Sequence, residues 1–124
     1  MIESVVAGRN MAELLAVQGT ELFFFGRADY SATAGHAGQW EGPGVAEEID
    51  AALKQIIASG RHAGIIAGTV EGAEARAAQG FRMLGLGLDA GLLIGALQQR
   101  LRALGRPCTM NTAMEAPVDH GTEV

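Results

Sequence analysis

Cysteine, lysine and aromatic residues are all scarce in this 124-residue chain. The single cysteine, Cys108, excludes an internal disulfide and suits a reducing compartment. Lysine occurs once, at Lys54, and Lys and Arg together number 9 against 14 Asp and Glu, a formal net charge of −5. That balance argues against nucleic acid or an anionic membrane as the main partner, because both demand clustered cations. No apolar run is long enough to span a bilayer. The N-terminus lacks the basic region and apolar core of a secretory signal, so a cytoplasmic setting is expected. What the chain has in quantity is apolar residues, 48%, and glycine, 18 residues. The first suits a globular rather than a disordered chain. The second falls mostly between apolar runs, as punctuation of many short elements within one small domain.

Read along its length, the chain alternates strand-like and helix-like segments. Residues 1–6 open with a short apolar piece that reads as the tail end of a strand, so the sequence starts as though inside an element. Asn10 reads as a helix N-cap with Glu13 completing a capping-box pair, and Gly19 stops that helix. Leu22 to Phe25 is a continuous apolar run, expected to be a strand buried on both faces. A long loop is expected from Gly26 to Gly44. Val45, Ile49, Leu53, Ile56 and Ile57 then form one apolar stripe on a helix closed by Gly60. Residues 63–67 read as a second buried strand. Thr69 caps a helix running to Gln79, closed by Gly80, and residues 83–87 read as a third strand. Asp89 is expected to cap a last helix with Leu93, Leu97, Leu101 and Leu104 on one face, ending at Gly105 before Pro107. Residues 107–124 show no periodicity and are expected to be a disordered tail. Buried strands alternating with amphipathic helices predict right-handed βαβ units and a parallel sheet, an α/β fold. This pattern alone does not separate an open doubly wound sheet from a piece of a barrel.

In parallel α/β folds, functional side chains gather beyond the C-terminal ends of the strands. Glu3 follows the first strand fragment, and Asp29 lies four residues past Phe25. Neighbouring strands run roughly 4.8 Å apart, so two such carboxylates can reach one point above the sheet. Carboxylates with open positions left over suit a hard divalent cation, Mg2+ or Mn2+. Spacing alone leaves open the plainer alternative of a terminal acid and a turn-capping aspartate.

The local sequence adds to this. Met-Ile-Glu-Ser at 1–4, Phe24-Phe25-Gly26-Arg27-Ala28-Asp29-Tyr30-Ser31, Gly35-His36-Ala37-Gly38-Gln39 and Phe81-Arg82-Met83-Leu84-Gly85-Leu86-Gly87-Leu88-Asp89 occur in order. Together they resemble the HpcH/HpaI aldolase/citrate lyase family, from Met1 to about Arg106. The resemblance implies the C-terminal half of a (β/α)8 barrel over residues 1–106. It implies Glu3 and Asp29 as ligands of a divalent metal, Mg2+ or Mn2+. It further implies that Gly26, Ala28 and Asp29 form a turn whose amides receive the carboxylate of pyruvate or a similar 2-oxo acid, a plausible anion cradle. The implied reaction is reversible aldol cleavage of a 2-keto-4-hydroxy acid, with the metal acting as Lewis acid and no lysine Schiff base. Lys54, on the outer face of its helix, is then a solvated surface residue.

The sequence departs from the family in three respects. A complete barrel needs about 250 residues, and the family's catalytic histidine and substrate-binding arginine belong to the half not represented here. His36, His62 and His120 do not match that base, so catalytic residues of this chain itself are unknown. The glutamine that the family carries two positions before its metal glutamate also falls ahead of Met1. Arg27 stands where the family more often has proline, and either retunes substrate choice or points outward. His36 and Trp40 form a lid, a subunit contact or simply a packed loop. The Gly85–Asp89 turn reads as tight packing ahead of a helix cap rather than as a phosphate site.

Two functions follow. One is part of a metal-dependent carbon–carbon lyase; the alternative is a non-catalytic half-barrel remnant that at most binds metal or a 2-oxo acid. Half a barrel leaves open sheet edges, so a homo-oligomer or a missing N-terminal half is the expected partner. Intact family members assemble through their last helices, making Leu93, Leu97 and Leu101 candidate contacts.

Overall fold

Three of the apolar runs form one parallel sheet in a computed structural model that describes residues 1–40 and 42–106. The expected disordered tail, 107–124, lies outside the described residues, as do Cys108 and His120. Strands β1 (Leu22–Phe25), β2 (His62–Ile66) and β3 (Met83–Gly85) pair in the order β1-β2-β3, with Phe23 opposite Ala63, Phe25 opposite Ile65 and Ile65 opposite Leu84. Ile2 adds a single parallel bridge to Phe25 at the free edge of β1. The expected strand start is therefore one bridged residue. The chain enters helix α1 (Val5–Arg9) directly afterwards because Ser4 caps it, its hydroxyl accepting the Ala7 amide.

The expected cap at Asn10 is not formed. Its side-chain amide donates to Glu13 at 2.8 Å, and the backbone passes almost continuously from α1 into helix α2 (Met11–Ala16). The expected loop from Gly26 to Gly44 is also partly helical, since α3 (Arg27–Thr33) begins one residue after β1 ends. Its sequence, rich in small residues, carries too little apolar periodicity to announce a helix. Thr69 caps α5 (Val70–Gln79) as expected, accepting the Gly72 amide, and Gly80 ends it in the left-handed region.

One face of the sheet holds the core. Phe23, Phe25, Ala63 and Ile65 point toward α4 (Val45–Ala58), which buries Val45, Ile49, Ala52, Leu53 and Ile56 against them. Phe81 closes the end of that layer edge-on to Phe25, with ring centroids 6.0 Å apart. The stripe on α4 differs from expectation at one place: Ile57 is 47% exposed and Ala52 is buried instead. At 100° per residue Ile56 and Ile57 cannot both face one sheet, and Ile56 lies nearer the centre of the stripe. The opposite face, lined by Leu22, Phe24, Gly64 and Met83, is less covered. Leu22 and Met83 are exposed and Phe24 is half-buried, so β1 is not buried on both faces as its composition suggested. On that face the Phe24 ring lies over Gly64, where an added Cβ would meet Phe24 Cδ2 at 2.5 Å.

Residues Met1–Leu86 make one compact unit, and the described residues from Gly87 onward belong to a second. Within the second, α6 (Asp89–Ala103) is capped at Leu88, and the Asp89 carboxylate accepts the Ala90 amide at 2.7 Å. Asp89 is thus the first helical residue rather than the cap. No helix among the described residues is long and apolar enough to cross a membrane.

Truncating a fully buried core residue removes transfer energy and leaves a cavity. Ile56→Ala should cost about 2–5 kcal/mol of unfolding free energy in urea. Ile57→Ala, one residue along and half in solvent, should cost less than about 1 kcal/mol.

Candidate active site at the end of the first strand

The site is assembled by the pairing of Ile2 with β1. The Ile2 amide donates to the Phe24 carbonyl at 2.7 Å, and the Gly26 amide donates to the Ile2 carbonyl at 3.0 Å. This parallel pairing draws Glu3 alongside Gly26, the residue at which β1 gives way to α3. The contact is intimate. A Cβ built on Gly26 would lie 2.8 Å from Glu3 Cγ and 3.0 Å from Glu3 Oε1. Gly26 has a negative φ of −92°, so it is glycine for space and not for backbone freedom. Only hydrogen at that position lets the glutamate side chain lie across the strand end.

Asp29 stands in the first turn of α3, three residues beyond Gly26, and is exposed, as is Ala28; Glu3 is half-buried. The first helical hydrogen bond runs from the Tyr30 amide to the Gly26 carbonyl at 2.9 Å. The amides of Arg27, Ala28 and Asp29 therefore precede any intrahelical acceptor. The four residues expected to share a site, Glu3, Gly26, Ala28 and Asp29, all lie at this one strand end. Their donor set is two carboxylates of neighbouring segments, which suits a hard divalent cation and leaves its remaining positions to water and substrate oxygens. Among the described residues no group of three or more His, Cys, Asp or Glu could hold a metal ion. The two carboxylates of this strand end, Glu3 and Asp29, do not by themselves form such a group.

Sequence reasoning missed the network that holds this end of the molecule. Tyr30, next to Asp29 and fully buried, donates from its hydroxyl to Glu48 Oε2 on α4 at 2.7 Å. Glu48 Oε1 in turn accepts from Arg9 Nη2 of α1 at 2.7 Å and from Arg9 Nε at 3.2 Å. Gly8 allows this approach, since a Cβ there would meet the Tyr30 hydroxyl at 2.2 Å. The hydrogen bonds from Arg9 and then Tyr30 hold the Glu48 carboxyl below its usual range. Burial first, and Glu48 second, push the Tyr30 phenol far above its usual range, so it remains a donor. The partners are 18 and 39 residues apart in sequence, and no spacing rule links them.

His36 lies in the following loop, half-buried, its amide donating to the Ser31 carbonyl at 2.8 Å. His62 is exposed at the opposite end of β2 from the candidate site. Arg27 extends from the turn to the end of β2, where Nη2 donates to the Ile66 carbonyl at 2.8 Å, and its guanidinium lies 5.0 Å from the centroid of the Trp40 ring.

A family model described as HpcH/HpaI aldolase/citrate lyase matches residues 1–96. The chain belongs to this family. Among curated relatives of this HpcH/HpaI member, a hydroxypyruvate/pyruvate aldolase of Delftia acidovorans is 37% identical over 117 residues, 94% of this chain and 42% of the relative. A 2-keto-3-deoxy-L-rhamnonate aldolase of Escherichia coli is 35% identical over 100 residues, 81% of this chain and 38% of the relative. Among solved structures, an HpcH/HpaI aldolase/citrate lyase family protein from Burkholderia cenocepacia superposes with a TM-score of 0.79 at 27% identity, covering 84% of this chain and 40% of that one. The chain thus spans about two fifths of the length of these relatives. Its parallel βα units are the C-terminal half of a (β/α)8 aldolase barrel.

The depressed Glu48 carboxyl fixes the sign of a pH effect. A carboxylate held below its unfolded pKa adds stability above that pKa and loses it as pH falls through the folded value. Glu48→Gln should therefore be less stable than the parent chain near neutrality. In urea unfolding carried from pH 7 to pH 3, the gap should close toward the acid end.

Proposed function

We propose that this chain supplies the metal- and oxo-acid-binding half of a divalent-metal-dependent class II aldolase. The reaction is cleavage of a 2-keto-4-hydroxy acid to pyruvate or a similar 2-oxo acid plus an aldehyde. The observation that carries the reading is the packing of Glu3 across Gly26, which brings a carboxylate to the turn that carries Asp29. The names of the relatives, aldolases acting on hydroxypyruvate, pyruvate or a 2-keto-3-deoxy acid, support the same substrate class.

In this reading Glu3 and Asp29 hold Mg2+ or Mn2+. The cation supplies Lewis-acid polarisation of the 2-oxo group when bound. The Gly26 amide, expected among the donors to the substrate, is taken by the Ile2 carbonyl, so Gly26 serves instead by admitting the Glu3 side chain. The amides of Ala28 and Asp29, at the start of α3 where no helical carbonyl takes them, receive the substrate carboxylate. The proton-transfer base and a substrate-binding arginine are assigned to the rest of the barrel by resemblance to the family. Leu93, Leu97 and Leu101 of α6 are assigned to subunit contact on the same ground.

In the complete protein, chelation of divalent metal and Asp29→Ala should each abolish pyruvate release from a 4-hydroxy-2-oxo acid. Glu3→Gln and Asp29→Asn in the 124-residue chain should each weaken Mn2+ binding, read by electron paramagnetic resonance, by at least about tenfold, on the order of 1.4 kcal/mol. Turnover that survives Asp29→Ala contradicts the assignment. Mn2+ affinity untouched by both substitutions contradicts the site.

A further inference from the structure

The Gly26–Asp29 turn is restrained by a side chain of its own. Arg27 sits within the turn, between Gly26 and Ala28. The ladder between β1 and β2 ends at the Phe25–Ile65 pair, and the backbone then turns away into α3. One residue further along β2, the Ile66 carbonyl is met by Arg27 Nη2 at 2.8 Å, a charge-assisted and part-buried hydrogen bond. The same guanidinium lies over Trp40, the single tryptophan of the chain, at 5.0 Å from the ring centroid. One planar cation thus joins three segments at the strand ends: the turn, the end of β2 and the loop ahead of α4.

The space around this contact explains why it matters. Arg27 and Trp40 border a cavity of about 260 Å3 whose lining is mixed, with Leu53 and Phe81 beside Glu47, Asp50 and Arg76. The turn and the loop at Trp40 thus border open space on this side. The guanidinium bridge restrains both segments at the edge of that space. Arg27 neither belongs to the carboxylate pair nor lies among the amides assigned to the substrate.

We propose that Arg27 is a positioning residue for 2-oxo acid binding, clasping the Gly26–Asp29 turn to the end of β2 and to Trp40. This role rests on the function proposed above. It acts through backbone geometry: the clasp keeps the amides of Ala28 and Asp29 in place, and loss of the guanidinium lets them move. Lysine can keep the bond to Ile66 but cannot lay a planar cation on the indole, so Arg27→Lys retains only part of the effect.

The test is hydrogen–deuterium exchange on the full 124-residue chain, with and without pyruvate plus Mn2+. In Arg27→Met, exchange over residues 26–31 should rise at least about fivefold, while the α4 segment 49–57 stays as in the parent chain. Trp40→Leu should loosen the same segment, and Arg27→Lys should fall between parent and Arg27→Met. Protection of 26–31 by pyruvate plus Mn2+ should weaken by a similar factor in Arg27→Met. Unchanged exchange at 26–31, or an equal rise at 49–57, overturns the clasp, the latter because it marks global destabilisation only. Intact pyruvate protection in Arg27→Met despite faster free-state exchange overturns the positioning role. A parent chain that pyruvate plus Mn2+ does not protect refutes the underlying binding reading and the role with it, and leaves the Arg27 contact itself to be judged by the ligand-free comparison.

Discussion

A two-bond parallel pairing governs the functional end of this molecule. Because Ile2 exchanges hydrogen bonds with Phe24 and Gly26, the next residue, Glu3, must lie beside the point where β1 turns into α3. Everything proposed for the site depends on that register. A slip of one residue in a strand turns each side chain to the opposite face, which would carry Glu3 away from the turn and Ile2, now 3% exposed, out of the core. Burial of Ile2 and placement of Glu3 are therefore enforced by the same contact. The absence of a side chain at Gly26 completes it.

Around that pairing, two polar networks fix the segments that leave the strand ends. Arg9, Glu48 and Tyr30 bind α1, α4 and α3 together, with the tyrosine ring filling the space that Gly8 leaves. Arg27 spans from α3 to β2 and Trp40. The first is anchored by the buried Tyr30, with Arg9 exposed at its outer end, and the second lies at the edge of a cavity. The difference matters for function, since an element held by close packing has few alternative positions whereas one held by a cation at a cavity edge can be loosened by a single substitution.

Much of this was legible in the residues. The run Leu22–Phe25, the stripe of α4 and the Thr69 and Gly80 boundaries of α5 are read from local pattern, because each is set by burial or by a cap within a few residues. The candidate site was legible in another way: Glu3, Gly26, Ala28 and Asp29 stand in short motifs resembling those of HpcH/HpaI aldolases, and the fold brings all four to one strand end. Several local readings went astray for physical reasons, Ile57 and Asp89 among them. Asn10 found Glu13 before it found a backbone amide. Residues 27–33 became helical because the strand end and the Tyr30 anchor dictate it, with little apolar period to show for it. Leu22 and Phe24 read as buried but lie on the face that this half of the barrel leaves uncovered. The Arg9–Glu48–Tyr30 network was invisible, since contacts separated by 18 and 39 residues arise only after the chain has folded.

The dependence of the site on Glu3 lying across Gly26 is open to one direct measurement. Gly26 has a backbone conformation with negative φ, so Gly26→Ala introduces a methyl group without forcing a strained φ and strikes chiefly at Glu3. Mn2+ affinity of the variant, measured by electron paramagnetic resonance beside its urea unfolding, separates the site from the fold. The account predicts an affinity reduced by about tenfold or more, on the order of 1.4 kcal/mol, with most of the stability retained. Mn2+ binding that matches the parent chain would contradict it.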